Sequence, residues 1–188
     1  MYTNPSNLAK TYANLLERNK DTINSVIKEY EQRELNVFVG MRKSLPRDAF
    51  PSLELEPTSA SSEWYACRTQ RPRFNLQFTL TVVNDNEDFG VEYISTIVTV
   101  LTEILTNPLN LQMKIVNETK WSPNWGLVDS YIMDSLVEDV TYNSNHDGTI
   151  RTAEFNVFAL VLEPYPESDW NLGNRSEPTQ VRQSVKPA

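Results

Sequence analysis

Polar and apolar residues alternate strictly over residues 73–82, where Phe74, Leu76, Phe78, Leu80 and Val82 interleave with Arg73, Asn75, Gln77, Thr79 and Thr81. A period of two held this long predicts a strand buried on one face. The period changes on either side of it. From Ser6 to about residue 33, Leu8, Tyr12, Leu15, Leu16, Ile23, Val26, Ile27 and Tyr30 recur at helical spacing, with no Gly or Pro among them. That pattern predicts one amphipathic helix, with Ser6 as its N-cap. A second helical stripe comprises Val91, Ile94, Ile97, Val98, Leu101, Ile104 and Leu105, and Pro108 closes it. Its β-branched residues lower intrinsic helicity, so the spacing carries the assignment, and Asp85 or Asn86 is placed to cap it.

Shorter segments fill the rest. Residues 35–40 predict a short strand, and residues 43–51, with Pro46 and Pro51, a loop. Residues 52–56 alternate until Pro57 is expected to stop them, and the small polar residues 58–62 have the composition of a flexible connection. Residues 64–69 are expected to pair with the long strand by turning through residues 70–72. Leu109, Leu111, Met113 and Ile115 alternate with polar residues and predict another strand. Two long strands, residues 128–142 and 149–162, flank a polar turn containing Asp147-Gly148, which tolerates positive φ, so an antiparallel hairpin is expected. Phe155, Val157, Ala159 and Val161 share one face of its second strand, and Phe158, Leu160 and Leu162 the other. Apolar residues on both faces imply that something covers the second face as well. Residues 164–188 hold four of the 11 prolines and few aliphatic residues, as in an extended or disordered arm. The expected architecture is α+β: a mostly antiparallel sheet with helices packed on one face, a long hairpin near the C-terminus, one domain over residues 1–163, and the arm.

Composition narrows the chemistry. A chain of 188 residues, 39% hydrophobic, buries enough surface to fold without a disulfide or metal. Cys67 is the one cysteine and His146 the one histidine, so neither a bridge within the chain nor a zinc framework can form. The chain begins without a basic flank and apolar run, and no window approaches the ~18 apolar residues of a membrane span. A soluble protein of a reducing compartment, without membrane contact, is expected. Seventeen basic and 25 acidic residues give a net charge of −8, which repels phosphate and disfavours a general nucleic-acid binder. The same charge lets a surface face DNA without adsorbing it.

Candidate catalytic groups are sparse. His146 sits in the polar turn, and Cys67 in an extended run reads as a small buried residue. Asp129, Asp134, Glu138 and Asp139 make one strand rich in carboxylates, but their spacing matches no calcium loop. A solvated or channel-facing acidic surface is the expectation, with a small acidic hydrolase as the enzymatic alternative. With five glycines and no phosphate-binding motif, no cofactor, metal or catalytic residue is expected. Arg68, Arg71 and Arg73 form the compact basic cluster, and Arg71 and Arg73 alternate around Pro72. A solvated loop is the first reading of them; of the functional ones, salt bridging to an acidic neighbouring subunit suits them better than phosphate contact. Trp121 and Trp125, in a segment with Pro123 and Gly126, are the aromatic candidates for a partner surface.

The order of these pieces resembles the tail terminator and related neck proteins of tailed bacteriophages. An N-terminal helix leads to the Pro-bounded Phe50-Pro-Ser-Leu-Glu-Leu-Glu56, then to the long strand of residues 73–83 and the aliphatic helix of residues 91–105. A hairpin turning at His146-Asp-Gly148 and carrying Arg151-Thr-Ala-Glu-Phe-Asn-Val-Phe158 closes the order, so the resemblance covers about residues 6–163. It implies a structural virion protein, assembled in the host cytoplasm, whose copies form a ring, hexameric in that family, joining tail to head. Its partners would be its own copies and the tail tube and sheath or the head-side connector, with DNA passing through unbound. Arg68, Arg71, Arg73, Trp121 and Trp125 are then interface candidates, and Asp134, Glu138 and Asp139 channel-facing ones. The alternatives are a monomeric binding or adaptor module using Trp121 and Trp125, or another neck component such as a head-completion or stopper protein.

Overall fold

The computed structural model describes residues 3–30, 33–42, 44–66, 69–83, 90–110, 113–115, 130–145 and 149–164. Its elements are α1 (Pro5–Arg18), α2 (Lys20–Glu29), β1 (Asn36–Val39), a 3-10 turn (Arg47–Ala49), β2 (Ser52–Ala66), β3 (Thr69–Val83), α3 (Gly90–Thr106), β4 (Tyr131–Ser144) and β5 (Ile150–Pro164). One five-stranded sheet runs in the order β1-β2-β3-β5-β4. All pairings are antiparallel except β1 with β2. The α+β architecture expected from the sequence is the one observed.

The alternation of β3 sets the sheet's two faces. Phe74, Leu76, Phe78, Leu80 and Val82 are buried, and across the ladder they meet Ala159, Val157, Phe155, Ala153 and Arg151 of β5. Leu53 and Leu55 of β2 extend the same face, as do Ile132 and Ser135 of β4. The three helices cover this side. Leu8, Tyr12, Leu15 and Leu16 of α1, Ile23 and Ile27 of α2, and Tyr93, Ile94, Ile97, Leu101 and Leu105 of α3 complete one core with it. Phe78 stacks on Phe155 at 5.4 Å between ring centroids and meets Tyr12 edge-on at 6.0 Å. Gly90, at the start of α3, lies against the Arg151 side chain, where a Cβ would collide with the guanidinium.

Tyr12 is the polar pin of this core. Its hydroxyl donates to Ser135 Oγ at 3.1 Å, tying α1 to β4, and burial pushes its ionisation well above the ordinary tyrosine range. Tyr12→Phe leaves the Ser135 hydroxyl buried without its donor. An expected loss of about 1–2 kcal/mol in unfolding free energy, read by chemical denaturation, checks the bond; an unchanged midpoint would show that it contributes nothing.

Several expectations need correction. The predicted first helix is two, divided at Asn19, whose N–H reaches Leu15 O and Leu16 O while its side-chain amide donates to Leu15 O. Its N-cap is Asn4, which accepts from the Ser6 N–H at 2.9 Å, and not Ser6. Pro57 does not end β2, which runs on to Ala66, so residues 58–62 are strand and not a flexible connection. Residues 70–72 belong to β3 rather than to a turn. Among the described residues, the strand expected around residues 109–115 shows one bridge, Lys114 to Tyr131, with Leu109 91% exposed. Residues 84–89, 111–112 and 165–188 lie outside the described residues, and with them the capping candidates Asp85 and Asn86 and nearly all of the arm.

Candidate interaction surface

The face of the sheet away from the helices brings several of the candidate residues together. Register places them in rows across the strands. Arg73 of β3 and Asp134 of β4 flank Leu160 of β5, and Ser61 of β2 continues that row. The next row holds Ser59, Asn75, Phe158 and Leu136, followed by Glu56, Gln77, Asn156 and Glu138. The row of Glu54, Thr79, Glu154 and Thr141 comes after it. Strands spaced about 4.8 Å apart put Arg73 and Asp134 roughly 10 Å apart on either side of β5.

This face is acidic and polar along most of its length. Asp134 and Glu138 are exposed; Glu54, Glu56 and Glu154 are half-buried. Their bonds are local. Gln77 Nε2 donates to Glu154 Oε2 at 3.3 Å, the Arg42 N–H to Glu54 Oε1 at 2.7 Å, and the Ser135 N–H to Asp134 Oδ1 at 2.9 Å. Arg71 and Arg73 stand at the end of the face nearest the β2–β3 hairpin. They alternate around the buried Pro72 and so lie on the same side, as expected. Asp139 departs from the rows: it has φ of 53° within the register shift between Glu138 and Thr141, a bulge that short Asp side chains tolerate. Residues of β4 from Glu138 onward are exposed on both faces, so this half of the strand extends past the helical layer.

An apolar strip crosses the acidic surface. Leu136 is 50% exposed beside the half-buried Phe158, with Leu160 in the adjoining row. This is the second apolar face of β5 anticipated from the sequence, and among the described residues no helix covers it. Leu136, Met133, Val140 and Tyr142, all exposed, were not among the candidates. The signal available was an apolar residue between Asp134 and Glu138 on an otherwise polar strand face.

Arg68, Trp121, Trp125, Asp129, Cys67 and His146 lie outside the described residues. Among the described residues no group of three or more His, Cys, Asp or Glu side chains is arranged to hold a metal ion. No described helix is long and apolar enough to cross a membrane.

No protein family model and no curated protein matches the chain. Among solved structures it is similar to a chain of the virion of a native gene transfer agent particle, with a TM-score of 0.47 and 6% sequence identity over 81% of this chain and 91% of that one.

Proposed function

We propose that this chain is a structural virion protein of a phage neck, whose copies close into a ring that terminates the tail and joins it to the head-side connector. The observation that carries this reading is the acidic face, covered by no described helix, built from Glu54, Glu56, Asp134, Glu138 and Glu154. The described helices all lie on one side, which gives each subunit a packed exterior and a polar wall. Turned towards a central opening, that wall repels the phosphate backbone and lets DNA pass without specific binding. Asp139, at its bulge, stands outside the rows of this face and adds negative charge to the exposed half of β4.

The basic end, Arg71 and Arg73, suits contact with an acidic partner surface, and Arg68, Trp121 and Trp125 keep the interface role that the resemblance implies. The partners are other copies of the chain, together with tail tube and sheath or head-side connector. The reading includes no cofactor and no turnover. A head-side stopper ring would use the same acidic wall, and its place in the particle separates the two.

Electron-microscope images of the purified full chain test this reading. They are expected to show annular particles with a central opening. Compact particles the size of one subunit at every concentration would contradict it and favour the adaptor reading.

A further inference from the structure

We infer that copies of this chain join edge to edge, the β4 edge of one against the β1 edge of the next, so that the sheet continues from subunit to subunit; this rests on the ring reading above. β1 and β4 are the two outer strands of the sheet. Among the described residues, the outer side of β4 is paired only at its start. There the Ile115 N–H donates to Ser130 O, and the Ile132 N–H to Met113 O. Beyond Ile132 no described residue pairs with that side. A strand edge of this length normally carries Lys or Pro as a guard against unwanted pairing. β4 has neither, and it exposes Met133, Leu136, Val140 and Tyr142. Its remaining guards are two bulges, between Ile132 and Asp134 and between Glu138 and Thr141. They leave the five residues 134–138 regular, a stretch long enough to pair with the four residues of β1.

Charge selects the occupant. β4 bears Asp134, Glu138 and Asp139 and no basic residue. β1 itself carries no charge; after it come Arg42, Lys43 and Arg47, with Glu34 before the strand and Asp48 after Arg47. The Arg42 guanidinium lies 5.2 Å from the Phe38 ring centroid, at the β1 end of the sheet. Two β4 edges meeting about a two-fold axis would set the acidic residues against one another, which is unfavourable. β4 against β1 sets those residues against an uncharged strand whose end carries Arg42.

The geometry agrees. The pairings make β1 antiparallel to β4, so rotation about an axis along the strands brings a β4 edge antiparallel to the next β1 edge. Every helical layer then stays on the same side. Unlike edges meeting head to tail form a heterologous contact, the kind that closes a ring.

Charge reversal in the full chain tests the pairing, with native mass as readout and circular dichroism to confirm the fold. Glu138→Lys with Asp139→Lys is expected to raise the concentration for half-assembly at least tenfold, as is Arg42→Glu with Arg47→Glu. All four changes together are expected to restore assembly. Oxidation of a Cys67→Ser chain carrying Phe38→Cys and Leu136→Cys is expected to link successive subunits into a ladder of covalent oligomers. Wild-type assembly by either reversed pair, or no restoration in the fourfold variant, would overturn the edge pairing and leave the ring reading standing. Dimers linked through Leu136→Cys alone would overturn it in favour of a β4–β4 contact. A wild-type chain that stays monomeric would remove the ring reading itself.

Discussion

Phe78→Ala is expected to lower the unfolding free energy by about 3–5 kcal/mol, the usual cost of emptying a large aromatic site in a close-packed core. Phe78 lies on the central strand β3, fully buried, between the Phe155 ring and the edge of Tyr12. Its removal opens a cavity where the sheet meets α1. The strands on both sides are long and paired along most of their length, so they cannot collapse to fill it. Chemical denaturation of the variant checks the value. A loss below 1 kcal/mol would mean that the sheet and the helical layer do not share one core.

Reversing the acidic wall is expected to have the second large effect, on DNA. Asp134→Lys, Glu138→Lys and Glu154→Lys convert three negative positions on the face away from the described helices to positive ones. All three side chains sit outside the core, so the fold is expected to survive. The wild-type chain is expected to leave duplex DNA unbound at low salt, and the triple variant to retain it at least tenfold more strongly. That retention should fall with salt, with a log–log slope of about −0.9 for each phosphate neutralised. Electrophoretic mobility shifts at several salt concentrations read it. Strong binding by the wild-type chain, or no binding by the variant, would show that the face does not govern how the protein meets DNA.

Legibility in the sequence followed how completely one face of each element is buried. β3 and the β4–β5 hairpin could be read because alternation records a sheet with one covered side. α3 could be read because its apolar stripe is continuous. The break at Asn19 left no trace, since Leu16 and Ile23 are seven apart and keep helical phase across it. Asn24 then takes the Leu35 N–H, holding the chain as it enters β1, a bond that hydrophobic spacing does not record.

The prolines misled for a definite reason. Among the described residues β1 pairs with β2 over residues 52–55 and nothing pairs with that side at Pro57, where a missing donor costs little. Pro57 also borders a register shift, between Pro57 and Ser59. Pro72 lies in a gap of the β3–β5 ladder, between the pairs Gln70–Glu163 and Arg73–Leu160. Around residue 109 the alternation was real but short, and among the described residues of that run Met113 and Ile115 pack against the core while Leu109 is exposed.

The candidate surface was legible in part. Arg71 and Arg73 on one side, and Asp134 and Glu138 on another strand, could be named from spacing. That they share a face of one sheet depends on β5 lying between β3 and β4, an order the chain does not spell out. That β1 and β4 are the two edges of the sheet emerges only with that same order.

Native mass spectrometry of the full chain across a range of concentrations tests the central claim most directly. Closed rings are expected as a discrete species, with a hexamer of 21.6 kDa chains near ~130 kDa and no ladder of larger open forms. A single species at 21.6 kDa throughout the range would contradict the account.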